Sequence, residues 1–419
     1  MGMKKTEIGM LPEEWEVQRF SDTFRILNNN TYSRADLNYD SGQFRNIHYG
    51  DVLILFPEVL DCTREDVPYI NDDVRISGSA QPLQDGDIVM ADTAEDETVG
   101  KVTEVTNTSD KSVMAGLHTI PCRVKFGEFV PKWLGYYMNS HLYHDQLLPY
   151  IHGTKVSSVS KGSLGDTVII VPKTPEQKKI VGALSDVDTL IVDMKKLIRK
   201  KKDIRQGTLQ KIMTGKNRLQ GFNKQWKDTT LGKICDIKDG THQTPHYVES
   251  GIPFYSVETV TNDDFTHVKY ISLEEHERLT SSYKIENGDV LMTRIGSIGK
   301  GKFVDWNPNA SFYVSLALLK FRGNKLLANF IALLTETEAF RKEAELHSLQ
   351  FAIPMKINLG QISDIRVKIP TDENETKVIV NILNDMNCEI KELEQKLEKY
   401  QMIKQGMMEE LLTGKVRLS

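Results

Sequence analysis

The feature that most constrains this chain is a duplication at a fixed offset. Glu176–Asp188 (EQKKIVGALSDVD) leads to Leu209–Leu219 (LQKIMTGKNRL), and Glu375–Asn387 (ETKVIVNILNDMN) leads to Met408–Leu418 (MEELLTGKVRL). Glu176 matches Glu375, an offset of 199, and the same offset pairs Ile180 with Ile379, Gly207 with Gly406 and Thr214-Gly215-Lys216 with Thr413-Gly414-Lys415. No insertion interrupts it. A chain that repeats itself in this way builds a two-fold-like object, and such objects commonly engage something with two halves.

The repeated stretch reads as a long helix. Ile180, Leu184, Val187, Ile191, Met194 and Ile198 step by 4, 3, 4, 3, 4, and Ile379, Leu383, Met386, Ile390, Leu393 and Leu397 step identically. This is the a/d seam of a coiled coil. The spacing extends it, less cleanly, through Tyr400, Ile403, Met407 and Leu411. Thr174-Pro175-Glu176-Gln177 combines a capping box with proline at the first helical position, and Thr371 or Asp372 does similar work in the second copy. Gly215 and Gly414 stand where the helices should end. A helix from Pro175 to Thr214 would run roughly 60 Å at 1.5 Å per residue. Gly207 and Gly406 fall inside it, and their recurrence suggests a bend or a close backbone approach, with a tolerated surface glycine as the plainer reading.

Charge narrows the partners. The formal net charge of -5 argues against a general polyanion binder. Yet from Lys195 to Leu219 there are ten basic residues (Lys195, Lys196, Arg199, Lys200, Lys201, Lys202, Arg205, Lys211, Lys216, Arg218) against the single acid Asp203, while Glu394–Leu418 holds five against four. The basic run suits phosphates, a solvated helix face or an acidic partner. The four cysteines (Cys62, Cys122, Cys235, Cys388) are scattered, which implies neither zinc site nor disulfide framework and fits a reducing cytoplasm. No apolar run approaches the ~20 residues needed to span a bilayer.

The segments between the helices echo each other more faintly. Trp15 opens one and Trp226 the other; Gly86-Asp87-Ile88-Val89-Met90 matches Gly288-Asp289-Val290-Leu291-Met292, and Val99-Gly100-Lys101 matches Ile298-Gly299-Lys300. Short β-rich runs, a helical stretch (131–148; 326–346) and a final strand (168–171; 365–369) complete each. The reading is α+β, with two pseudo-symmetric globular domains at 1–171 and 220–369. Two long helical spacers, 172–219 and 370–419, pack antiparallel on their seams and close a circular pseudo-two-fold arrangement. Because Thr214–Trp226 is continuous, its counterpart implies that Thr413–Ser419 lies near Leu11–Trp15.

These residues closely resemble the DNA-specificity (S) subunit of type I restriction-modification systems. Members carry two target-recognition domains, each followed by helices that open on a proline shortly before E-Q-x-x-I, here P-x-x-x-E-Q-x-x-I, and close on TGK. Pro172–Ile180 and Thr214–Lys216 carry that pattern here, and Asp239–Pro245, Gly288–Lys300 and Asn46–Asp51 are similar to segments of the family's recognition domains. The second opening departs from it: Glu375-Thr376 replaces Glu-Gln and one residue is inserted after Pro370. The resemblance covers nearly the whole chain. It implies a non-catalytic subunit whose domains each read half of a bipartite double-stranded DNA target, while the helices set the gap and dock two methyltransferase subunits. It also implies restriction subunits, no cofactor bound by this chain, and S-adenosylmethionine, ATP and Mg on the partners. Two readers on one face of B-DNA should sit about one turn apart, roughly 34–36 Å.

The chain's motifs agree with a non-enzyme. The aminomethyltransferase tetrapeptide N/D-P-P-[YF] is missing, Gly296–Gly301 lacks phosphate-loop spacing, and Asp385…Glu389-Ile390-Lys391 places a seam residue inside a nuclease-like motif. His242 and His246 near Asp239 make a superficial metal pair without a third ligand. No metal site is expected. Base reading needs paired donors and acceptors on exposed loops. Candidates in the first globule are Asn29, Tyr32, Ser33, Arg34, His48, Tyr49 and, for phosphate, Lys155; in the second they are Thr241, His242, Gln243, Thr244, Arg294, Ser297 and Lys300. An ordinary polar turn explains the loop at 28–34 equally well, and His48 and Tyr49 could simply cap an element. The alternatives are an orphan DNA-recognition subunit of another modification system and a coiled-coil scaffold carrying two ligand-binding globules.

Overall fold

The structure, a computed structural model, describes residues 2–418 except 77, 79, 109–111, 154–155, 216 and 350. The two long helices are Thr174–Ile212 and Glu373–Leu411, each of 39 residues, and both ends match under the 199-residue offset. The chain divides into two compact units, Met1–Met194 with Lys396–Ser419, and Lys195–Gln395. The first is therefore assembled from both ends of the chain, as a closed repeat requires.

In the first unit the main sheet runs in the order Phe24–Ile26, Thr119–Val124, Ile88–Ala91, Val102–Thr106, Val59–Asp61. All pairs are antiparallel except the last. A second sheet orders Val113–Ala115, Arg45–Ile47, Tyr69–Ile70 and Leu37–Asn38, and Glu16–Arg19 pairs with Val168–Val171. In the second unit the order Asp236–Asp239, Leu316–Lys320, Val290–Thr293, Gly301–Phe303 repeats the first sheet without its fifth strand. Ser311–Phe312, Ile252–Tyr255, Lys269–Ile271 and Tyr247–Val248 repeat the second sheet, down to its one parallel pair. Lys227–Thr230 pairs with Arg366–Ile369. The expected helical stretches are each broken in two, Trp133–Met138 with His141–His144, and Lys325–Leu334 with Glu338–Leu346. At the breaks Ser140 Oγ and Thr335 Oγ1 donate back to carbonyls of the preceding turn, which competes with helix continuation.

The seam is interior to the chain. Ile180, Leu184, Ile191, Ile198, Ile379, Leu383 and Ile390 are buried, and Val187, Met194, Met386, Leu393 and Leu397 are half-buried. Ile180 and Leu184 join Met408, Leu411 and Leu412 in the first unit's core; Ile379 and Leu383 join Leu209, Ile212 and Met213 in the second's. The helix ends are thus part of each core, and these side chains are not free to dock another subunit. The extension of the seam fails at Ile403, which is exposed like its counterpart Ile204. The next residue turns inward instead: Lys404 pairs with Glu58 (2.6 Å) and Asp188 (2.7 Å), and its counterpart Arg205 pairs with Glu336 (2.7 Å). A long side chain reaches an acid there that an isoleucine could not. Part of the basic run is spent on the second helix, through Lys201–Glu389 and Lys202–Glu394.

Each unit is closed by the same three side chains. Trp15 Nε1 donates to Glu176 (2.9 Å), Arg417 Nη2 donates to Glu176 (2.8 Å), and the Arg417 guanidinium lies 6.0 Å from the Trp15 ring. Trp226 Nε1 donates to Glu375 (3.0 Å), Arg218 forks onto both Glu375 oxygens (2.7 Å each), and its guanidinium lies 5.8 Å from the Trp226 ring. Both glutamates sit in the first turn of a long helix, where negative charge is favoured. The TGK glycines serve the same closure. Gly215 (φ +66°) and Gly414 (φ +69°) take the left-handed conformation; a Cβ at the first would come within 2.9 Å of Trp226, and one at the second within 2.5 Å of Pro12 and 3.2 Å of Trp15. Within each unit the helices run antiparallel: the second helix's C-terminal end meets the first helix's start through Arg417–Glu176, and the converse holds through Arg218–Glu375.

Two expectations need correction. A Cβ at Gly207 or Gly406 would meet nothing within 4 Å, so no close backbone approach explains them. Gln177 does not complete a capping box with Thr174. Its buried amide accepts from Val130 N and donates to the Glu128 and Pro172 carbonyls, tying the helix start to the globule. In the second helix Asp372 does act as cap, accepting from Asn374 N (3.0 Å).

Candidate nucleic-acid interface

The equivalent strands Ile88–Ala91 and Val290–Thr293 organise both candidate sites. Each leaves a Gly-Asp turn whose glycine has positive φ (Gly86, +86°; Gly288, +100°). The buried aspartate that follows is structural. Asp87 accepts from Gln84 N and from Arg123 Nε (2.7 Å) and Nη2 (2.6 Å); Asp289 accepts from Glu286 N and Lys320 Nζ (2.7 Å). Burial nonetheless pushes the Asp289 carboxyl above its usual range.

At the other strand end the backbone pattern is again shared. Asp92 N donates to His118 O and receives Val159 N at its carbonyl; Arg294 N donates to Ser315 O and receives Ile357 N. The side chains differ. Asp92 faces Thr93 (2.7 Å) and His118 (3.4 Å), and His118 lies edge-on to Tyr49 with ring centroids 5.3 Å apart. Arg294 is buried and holds Asp239 (2.5 Å), which in turn holds exposed His242 (2.8 Å).

Several predicted readers are therefore engaged in holding the fold. Arg294 is committed to Asp239 and is not free to fork onto a base. His48 is buried and N-caps the helix Tyr49–Ile54 by accepting from Gly50 N (3.2 Å); burial and then Arg34 lower its pKa, which keeps the ring a neutral acceptor. Arg34 forks onto buried Asp51 (2.7 and 3.0 Å) with its outer face half-exposed. Lys300 Nζ donates to Thr261 O (2.6 Å), as Lys101 Nζ does to Leu53 O (3.0 Å), so each lysine satisfies a carbonyl near the end of a short helix. Asn29 donates to Gly116 O, Tyr32 to Arg75 O, and Ser33 pairs with Asp36; Ser33 is exposed and the other two are half-buried. Thr241 is half-buried and bonds to Gln243 O, whereas Gln243, Thr244 and Ser297 are exposed. Lys155 lies outside the described residues. The structure brings Arg34, His48 and Tyr49 together with Asp51 and His118, and Thr241 and His242 with Asp239 and Arg294. His118 escaped sequence reading because what places it, a positive φ of 53° after the strand Val113–Ala115, has no sequence mark. Among the described residues no group of three His, Cys, Asp or Glu side chains is placed to hold a metal ion.

A family profile described as the type I restriction modification DNA specificity domain matches residues 12–205 and again 223–401. The chain belongs to this family. Its role is accordingly DNA specificity, without catalysis, in a type I restriction-modification system. A Methanocaldococcus jannaschii chain described as the MjaX specificity subunit of a type I restriction enzyme is 23% identical over 437 aligned positions, covering 99% of this chain and 96% of that one. The MjaVIII specificity subunit of the same organism is 23% identical over 282, covering 64% and 66%. Among solved structures, the type I restriction-modification S subunit from M. genitalium superposes with a TM-score of 0.57 at 14% identity, covering 95% of this chain and 96% of that one. A chain from a study of assembly and conformational transition of the type I R-M system gives 0.57 at 17%, covering 97% and 99%. At these identities the superpositions speak for the fold. No helix among the described residues is long and apolar enough to cross a membrane.

Proposed function

We propose that each unit of this specificity subunit reads one half of a split double-stranded DNA target in the cytoplasm, and that the two long helices set the gap. Two methyltransferase subunits dock on the chain and supply S-adenosylmethionine for adenine methylation. Restriction subunits add ATP- and Mg-dependent translocation and cleavage. The observation that carries this reading is the repeated frame with unlike strand ends: identical closing residues and matching sheet orders but for one edge strand, with Asp92 and His118 in one unit and Arg294, Asp239 and His242 in the other. A frame held constant while the presented side chains change suits two readers of different sequences. The test is long-read detection of modified bases in cells that express the chain with its neighbouring methyltransferase. A split adenine motif with two unlike halves, absent without this chain, is expected. Unchanged methylation while the proteins form a complex would contradict the reading and favour a scaffold.

A further inference from the structure

Residues 351–356 of the second unit present two large apolar side chains wholly to solvent. Phe351 and Ile353 are each 100% exposed, and Leu346, at the end of the preceding helix, is 72% exposed. Apolar groups held out together in this way forgo burial and mark a contact surface. The loop's feet are fixed. Leu349 N donates to Lys356 O (2.8 Å), Lys356 bridges to Ile295, Gly296 N donates to Met355 O (2.8 Å), and Ile357 N donates to Arg294 O (2.9 Å). The loop is thereby tied to the segment carrying Ser297 and Lys300 and, through Arg294, to Asp239 and His242. Exposed Lys356 at its foot supplies positive charge beside the apolar tip. In the first unit the chain returns at the same place, Ser157–Ser158 pairing with Thr93–Ala94, but the sequence leading into it is Gly153-Thr154-Lys155-Val156, with Val156 the one large apolar residue of the four, instead of Phe351-Ala352-Ile353-Pro354.

We infer that Phe351 and Ile353 are specificity-determining residues that contact the apolar surface of bases, a stacked face or a thymine methyl, in the half-site read by the second unit. The inference rests on the two-reader function proposed above. Apolar side chains beside an exposed cation are a combination that engages a base face and the nearby phosphate without a hydrogen bond to the base.

The test compares the full complex carrying wild-type chain with F351A/I353A and with F351L. Because both side chains are wholly exposed, the double variant should keep the wild-type melting temperature and its methyltransferase subunits. Its affinity for the cognate duplex should fall about ten-fold or more, with the methylation motif relaxed in one half only; F351L should restore most of the loss. Unchanged cognate affinity and motif would overturn the inference. So would loss of the methyltransferase subunits from the double variant, which would make the loop a protein-docking element. A wild-type complex with no split-site preference would instead sink the two-reader function itself, and is seen before any variant is made.

Discussion

Where the two units close on their helices they use the same chemistry, Trp15, Glu176 and Arg417 in one and Trp226, Glu375 and Arg218 in the other. Where their main strands end they do not: Asp92 beside His118 stands at the position of Arg294 beside Asp239. The shared backbone hydrogen bonds at both places show that the scaffold tolerates this difference without changing path. What is repeated in this chain is the means of holding a globule on a helix pair; what is free to vary is the tip each globule presents.

The comparison breaks most visibly at the closing residues. Glu375→Ala leaves Arg218 and the Trp226 N–H without their acceptor in a buried setting and should cost about 3–5 kcal/mol. Glu176→Ala should do comparable damage to the first unit, read by thermal unfolding of each variant. Unequal effects, with one variant near wild type, would show that the repeat is geometric without being energetic.

The inward cations come next. Lys404→Met strands Glu58 and Asp188 together and should cost about 2–4 kcal/mol, more than Arg205→Met, whose partner Glu336 is the more exposed. This site should also carry pH dependence. Burial raises the Glu58 carboxyl, but the charge and hydrogen bond of Lys404 outweigh it and hold it below the usual 4.5; Lys404 itself is held above 10.5. Glu58 therefore stabilises the fold above about pH 4.5, and that contribution is lost as pH falls through its depressed pKa. Lys404 contributes below about pH 10.5 and loses its contribution as pH rises through its raised one. In Lys404→Met the acid limb of the stability profile should flatten; an unaltered limb would remove this pair from the account.

The duplicated duties of the glycines give a smaller, signed test. Gly215→Ala and Gly414→Ala force a side chain into the left-handed region, against Trp226 and against Pro12 respectively, and should destabilise by about 1–2 kcal/mol. Gly207→Ala and Gly406→Ala meet open space inside a helix and should stabilise by about 0.5–1 kcal/mol. Opposite signs for these pairs in one melting series would separate the two uses of glycine; equal signs would refute it.

Much of the frame was legible because it is periodic or duplicated. The seam from Ile180 to Ile198 and from Ile379 to Leu397, the Asp372 cap and the terminal glycines all follow from local spacing. The extension through Ile403 misled because spacing alone cannot tell that Lys404, one residue on, has Glu58 and Asp188 to meet. The same blindness explains the candidate site. His48 and Arg294 carry the donors and acceptors that base reading needs, but their partners, the first helical turn after His48 and the distant Asp239, consume them. Asp92, His118 and the exposed Phe351 and Ile353 carry no motif; they are placed by strand ends and loop feet that only the fold joins.

The central claim is that the two units are independent readers on one frame. The most direct measurement maps methylated motifs for the wild-type complex, for D92A/H118A in the first unit and for Q243A/T244A in the second. Each double variant should relax one half of the motif, a different half in each case, at about 1–3 kcal/mol of discrimination per lost base contact, while the other half and the gap stay as in wild type. Relaxation of both halves together by either variant, or of neither half by both, would contradict it.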